Sequence, residues 1–141
     1  MEYQRNENFL FLRLEKGEEL LEALTALCKK EDIQAGMVLG IGATNDVTVG
    51  LFDTKKKMYI SNTCTGDMEI TSLTGNISRK NGEPYLHLHI QVADESNQVI
   101  GGHLSRCVIS VTAEITVICS DIKTERTPNE DGINLIHFPT A

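Results

Sequence analysis

Three of the chain's four histidines fall within seventeen residues, in Leu86-His87-Leu88-His89-Ile90 and Gly101-Gly102-His103-Leu104. An extended chain turns alternate side chains to opposite faces, so His87 and His89 share one face and Leu86, Leu88 and Ile90 take the other. Between the two runs, Asp94-Glu95-Ser96-Asn97-Gln98 has the composition of a turn. A hairpin centred on Ser96 sets residues equidistant from it opposite one another, and His89 and His103 each lie seven positions away. Their Cβ atoms are then expected about 4.5–5.5 Å apart, with His87 one pleat along on the same face. Three imidazoles converging from two strands form the ligand set of a tetrahedral metal whose fourth position is open to water or another ligand. Imidazole suits zinc, copper, iron and nickel, with zinc the first expectation. Repulsion among the protonated rings lowers their pKa values and favours the neutral, metal-ready form. Two things stand against this reading. A bulge at Gly101-Gly102 would shift the register by one, and half-buried sheet histidines satisfied by backbone or carboxylates give the same pattern.

Carboxylates are the other candidates for chemistry. Glu114 stands on the polar side of Val108–Ile118, whose odd positions are apolar, and Glu69 stands in a similar run. Either could orient a histidine or act as base beside a metal-bound water; a plain exposed or salt-bridged glutamate is the alternative. His137 sits alone and is assigned a structural role. Cys28, Cys64, Cys107 and Cys119 are scattered, with no C-x-x-C pair, and are expected as reduced thiols packed like small apolar residues. Gly40-x-Gly42 lacks the third glycine and the following helix of a dinucleotide site.

These residues need a scaffold, and the pattern supplies one helix and many strands. Asn8–Leu14 reads as a strand buried on both faces. Gly17-Glu18-Glu19 opens a long helix with two carboxylates in its first turn; Leu20, Leu21, Leu24, Leu27 and Cys28 recur at helical spacing, and Lys29-Lys30 close it. Ala35–Ala43 reads as a buried strand whose glycines allow close backbone approach. Val47–Asp53 and Lys57–Ser61 make a hairpin, and Glu69–Ser78, Tyr85–Asp94, Gln98–Leu104 and Val108–Ser120 are further strands. Thr124–Asp131 is polar and carries Pro128, so a surface loop is expected there, with a short final strand at Ile133–Phe138. One helix followed by consecutive strands implies an α+β class with a mainly antiparallel sheet, and a single domain over 1–141 with its core at about 8–120.

The 141 residues suit one domain with its own core, without disulfides or metal needed for folding. Hydrophobic residues at 40% and charged residues at 23% are ordinary for a globular chain. No apolar run reaches membrane-span length, and Met1-Glu2-Tyr3-Gln4-Arg5 lacks a signal-peptide layout, so a cytoplasmic protein without a membrane partner is expected. With 13 Lys and Arg against 20 Asp and Glu, the net charge is −7, the reverse of what phosphate neutralisation asks of a tight DNA binder.

Gly66-Asp67-Met68-Glu69-Ile70-Thr71-Ser72-Leu73-Thr74-Gly75 resembles the Gly-x-x-Glu-Ile-x-Ser-Leu-x-Gly segment of the plants-and-prokaryotes-conserved (PPC) domain family. Pro84-x-x-His87-x-His89, Val99-Ile100-Gly101-Gly102-His103-Leu104 and Thr112-Ala113-Glu114 are similar to its prokaryotic, histidine-containing branch. Arg13-Leu14-Glu15-Lys16-Gly17-Glu18 and Gly40-Ile41-Gly42-Ala43 fit as well, so the resemblance spans about residues 8 to 120. It implies an α+β domain assembling as a homotrimer. Plant members carry AT-hook motifs beside the domain, and this chain has no Arg-Gly-Arg-Pro hook. Many prokaryotic members bear a DNA-binding label, which implies DNA as a partner. Two functional expectations follow. The first is a trimeric metal-binding module with a regulatory or DNA-associated role, without catalysis and able to hold a small-molecule ligand. The alternative is a small zinc enzyme using His87, His89 and His103, with Glu69 or Glu114 as base.

Overall fold

From Ala35 to Ser120 the chain is strand apart from three turns, at 54–57, 81–82 and 94–98. The computed structural model describes residues 1–139, so the last two positions of the expected tail, 140 and 141, lie outside the described residues. The elements are β1 (Glu2–Asn6), β2 (Phe9–Glu15), α1 (Leu20–Lys30), β3 (Ala35–Asp53), β4 (Met58–Lys80), β5 (Glu83–Ala93), β6 (Val99–Ser120), β7 (Glu125–Pro128) and β8 (Asn134–His137). Every strand pairing is antiparallel. The main sheet runs β1-β2-β6-β3-β4-β5, and β5 also pairs with β6, so β3 to β6 close into a ring. Strands of 19, 23 and 22 residues must bend to do this. Register shifts at Gly40/Gly42, Thr44/Asp46 and Ile70/Ser72 supply the bends. Among the described residues, no helix is long and apolar enough to cross a membrane.

The one helix among the described residues is short, not long: 11 residues. Glu18 and Glu19 precede it instead of forming its first turn. Gly17 turns the chain at φ +89°, a conformation that favours glycine. Glu19 then stays extended as the N-cap, its carboxylate accepting from Glu22 N at 2.8 Å. The second oxygen of that carboxylate accepts from Cys107 N at 2.9 Å, which ties the start of α1 to β6. Leu20, Leu24, Leu27 and Cys28 turn inward and pack with Leu10, Leu12 and Leu14 of β2 and Leu88, Ile90 and Val92 of β5.

Asn8–Leu14, expected to be buried on both faces, and Ala35–Ala43, expected to be a buried strand, are each buried on one face only. Phe9 and Phe11 of β2 are exposed, Phe11 by 53%, while Leu10, Leu12 and Leu14 are buried. In β3, Met37, Leu39 and Ile41 face outward, although Gly36, Gly40 and Gly42 do permit the close approach of β6. Val111 breaks the inward pattern of its run and is 68% exposed. The expected strands on either side of Arg106 are one strand, β6. The polar tail is also more than a loop: β7 pairs with β8, and Thr124 and Arg126 are buried. The N-terminal strand β1 pairs with β2 at the sheet's edge, where the sequence carried no clear signal.

Because Glu19 joins helix cap and sheet through two hydrogen bonds, Glu19→Ala is expected to cost about 1–3 kcal/mol in denaturant unfolding. Glu22→Ala on the exposed side of the same helix should cost under about 0.5 kcal/mol.

Candidate metal centre

The β5–β6 register is set by its turn. Asp94 Oδ1 accepts from Ser96 N at 2.8 Å, Ser96 Oγ at 2.7 Å and Gln98 N at 3.0 Å, and Asn97 adopts φ +61°, which its short amide side chain tolerates. From there His89 pairs with His103, Ile90 with Gly102 and Gln91 with Gly101, with no shift. The glycines do not form a bulge. They lie where a Cβ would strike backbone oxygen, of Ile90 for Gly101 and of Gly50 for Gly102.

His87, His89 and His103 each offer a ligand nitrogen, and these atoms all lie within 4.8 Å of one another. Ring centroids are separated by 5.3 to 5.7 Å. His89 is exposed, and the other two are half-buried. His89 is paired on both sides, with Thr74 and His103, and His87 is paired with Asn76 on β4, so the strands fix the backbone beneath the rings. Gly75 pairs with Leu88 directly under the cluster, and a Cβ there would collide with the His87 carbonyl oxygen. Tyr59 stands beside His103, with ring centroids 5.3 Å apart.

Burial, then the Arg126 charge, then the His103 and His89 rings hold the His87 pKa below its ordinary value. Burial and His89 do the same for His103. Neutral imidazoles with converging nitrogens are the donor set a borderline metal such as zinc takes, so the residues present fit that ion.

The two glutamates do not join them. Glu114 pairs with Arg13 and Ile41, eleven positions from His103 along β6, about 36 Å of strand. Glu69 pairs with Ala43 and Ala93 near the far end of β5, beside Asp67, Asp94 and Glu95. His137 is exposed in β8, paired with Glu125. The four cysteines are free thiols. Burial pushes Cys28 up to about 12 and Cys107 up to about 11, so neither is a thiolate at neutral pH.

What sequence reasoning missed is Arg126. Only 5% of the residue is exposed, and its charge is one of the causes that lower the His87 pKa. Nε donates to Ser78 Oγ at 2.7 Å, one terminal nitrogen to the Asn134 carbonyl at 2.8 Å and the other to Asn76 Oδ1 at 2.9 Å. It also stacks 4.7 Å from the Tyr85 ring centre. Asn76 in turn pairs with His87 across β4 and β5.

Fold and histidine cluster together define a small β-rich domain with a three-imidazole face. The Plants and Prokaryotes Conserved (PCC) domain matches residues 1–120, and the chain belongs to that family. A Bacteroides thetaiotaomicron protein with a provisional DNA-binding label superposes with a TM-score of 0.93 at 36% identity, over 97% of this chain and 96% of that one. A plant- and prokaryote-conserved protein of Pyrococcus horikoshii gives 0.86 at 33% identity, over 99% and 96%. An Archaeoglobus fulgidus protein described as metal-containing gives 0.84 at 28% identity, over 95% of each chain. The chain also matches 108 residues of the bifunctional protein GlmU of Synechococcus sp. (strain JA-2-3B'a(2-13)) at 35% identity, but spans only 16% of that protein's length.

The lowered pKa values set a pH dependence. At these sites the folded, metal-free chain holds fewer protons than the unfolded chain, so the associated stability is complete above the ordinary histidine pKa of 6.5 and is lost as pH falls through the lowered values. Urea midpoints of metal-free protein should fall between about pH 7.5 and about pH 5.5, and fall less in a His87→Asn, His103→Asn double variant.

Proposed function

We propose that this chain is a trimeric zinc-binding module in which His87, His89 and His103 hold one ion per subunit and a ligand at the metal serves a regulatory role. The convergence of three ligand nitrogens within 4.8 Å carries the reading. A bound zinc would supply Lewis acidity and one open coordination position. The chain's own residues supply the rest: β5 and β6 fix His89 and His103 opposite each other, and the half-burial of His87 and His103 limits water on their side while His89 stays exposed. Among the described residues no carboxylate hydrogen-bonds these rings, and Glu69 and Glu114 are remote. That favours a binding module over the zinc-enzyme alternative, which needs a base beside the metal-bound water.

Charge speaks for ligand binding over direct DNA contact. Arg5, Arg13, Lys29, Lys57, Arg79 and Arg106 each meet a carboxylate within 4.0 Å. Arg79-Lys80, one of the two dense basic spots, is further engaged by carbonyls of Ile33 and Gly82 and by Asn134. Three copies at −7 make a trimer that repels phosphate.

The trimer reading rests on an uncovered sheet face. Phe9, Phe11, Met37, Leu39, Ile41 and Ile118 are all exposed. They occupy adjacent rows of β2, β6 and β3, because Ile118 pairs with both Phe9 and Met37, and Thr116 with both Phe11 and Leu39. A contiguous apolar patch of this kind is the mark of a protein interface.

Elemental analysis of untagged, zinc-reconstituted protein should find one zinc per chain, falling at least about tenfold in His89→Ala and His103→Ala at unchanged circular dichroism. Equal metal in all three proteins would return the histidines to an ordinary sheet role. Light scattering should report three times 15.6 kDa for the native chain, and a single chain's mass for Phe11→Asp. A native monomer would refute the trimer.

A further inference from the structure

Arg126 is a permanent cation buried in the fold without a carboxylate partner among the described residues. Its three hydrogen bonds go to a hydroxyl, a backbone carbonyl and an amide oxygen, all neutral. A buried charge held only by neutral groups is costly, and an apolar residue would staple β7 to β4 without that cost. A guanidinium has five N–H donors, and three are committed, which leaves one on each terminal nitrogen. The Asn76 side chain that it grips stands directly across the sheet from His87.

We infer that Arg126 and the histidine trio form one binding site for a small carboxylate, shared between the guanidinium and the open metal position. This deepens the metal-module reading and rests on it. Two uncommitted donors, one per terminal nitrogen, match the two coplanar oxygens of a carboxylate, whereas a phosphate dianion presents three oxygens and asks for more donors. The single negative charge of the carboxylate lies between both local cations and offsets part of the charge of each. Ser78, Asn134 and Tyr85 lock the guanidinium plane, so the fork is formed before the ligand arrives.

The test uses full-length protein loaded with Co(II), whose visible absorption reports the metal's coordination. Co(II) uptake is read first. Absence of uptake by the wild type refutes the metal module and this inference with it, whereas uptake without any response to acetate refutes the carboxylate site alone. Titration with sodium acetate is expected to change the spectrum saturably, and inorganic phosphate to act more weakly. Arg126→Met should load equal Co(II) and weaken acetate at least about tenfold. Should that variant fail to fold, Asn76→Asp replaces an amide by a carboxylate of the same shape beside the guanidinium. It should bind Co(II) and no longer respond to acetate, because the guanidinium is already paired. An unchanged acetate response in a folded Arg126→Met or in Asn76→Asp overturns the assignment, as does phosphate binding tighter than acetate.

Discussion

Everything at the candidate site depends on the register of one hairpin. A slip of a single residue between β5 and β6 would move His103 to the opposite face and put Leu104 among the imidazoles. The Asp94 carboxylate prevents this by gathering three donors from Ser96 and Gln98, which fixes where the chain reverses. Those same bonds hold its pKa below the usual carboxylate range, so the turn keeps its charge well into acid. The inner face reinforces the choice. Leu88, Ile90, Val92 and Leu104 are buried on the side opposite the histidines, and a slip would expose them.

The histidine cluster was legible because it is a local matter. Period-two alternation and the distance of each ring from Ser96 are properties of one stretch of chain, and hydrophobic burial enforces both. The glycines were read for a possible bulge, but close packing of β6 against β3 and β5 is the reason for them. Arg126 was not legible for the opposite reason. Glu125-Arg126-Thr127-Pro128 is polar and has a proline, which reads as a loop in isolation. Its burial exists only because Ser78 and Asn76 arrive from a strand some fifty residues earlier. A weak signal was available: Asn129-Glu130-Asp131-Gly132 between two short runs has hairpin composition, and Asn129 Oδ1 does accept from Asp131 and Ile133. The error over β2 and Ala35–Ala43 has a different source. Apolar residues on both sides of a strand imply cover on both sides, and within one chain the cover is on one side only.

That uncovered face and the candidate site are parts of the same surface. Met37 pairs with Ile118 on one side and Asn76 on the other, and Asn76 pairs with His87. Leu39 pairs with Thr116 and Thr74, and Thr74 pairs with His89. Paired residues share a face, so two unbroken rows run from the apolar patch on β2, β6 and β3 across β4 to the imidazoles on β5. In the proposed trimer, the neighbour covering Met37 and Leu39 would therefore stand two strands from the metal ligands. Metal and neighbour would then stabilise the same sheet, each to the extent that it binds the folded chain in preference to the unfolded one. The proteins described as metal-containing and as plant- and prokaryote-conserved share this sheet at 28% and 33% identity, so the architecture survives replacement of most side chains. At the end of those rows Arg126 is a buried cation held by neutral groups alone, and a metal bound at the imidazoles would add positive charge to that same end of the sheet.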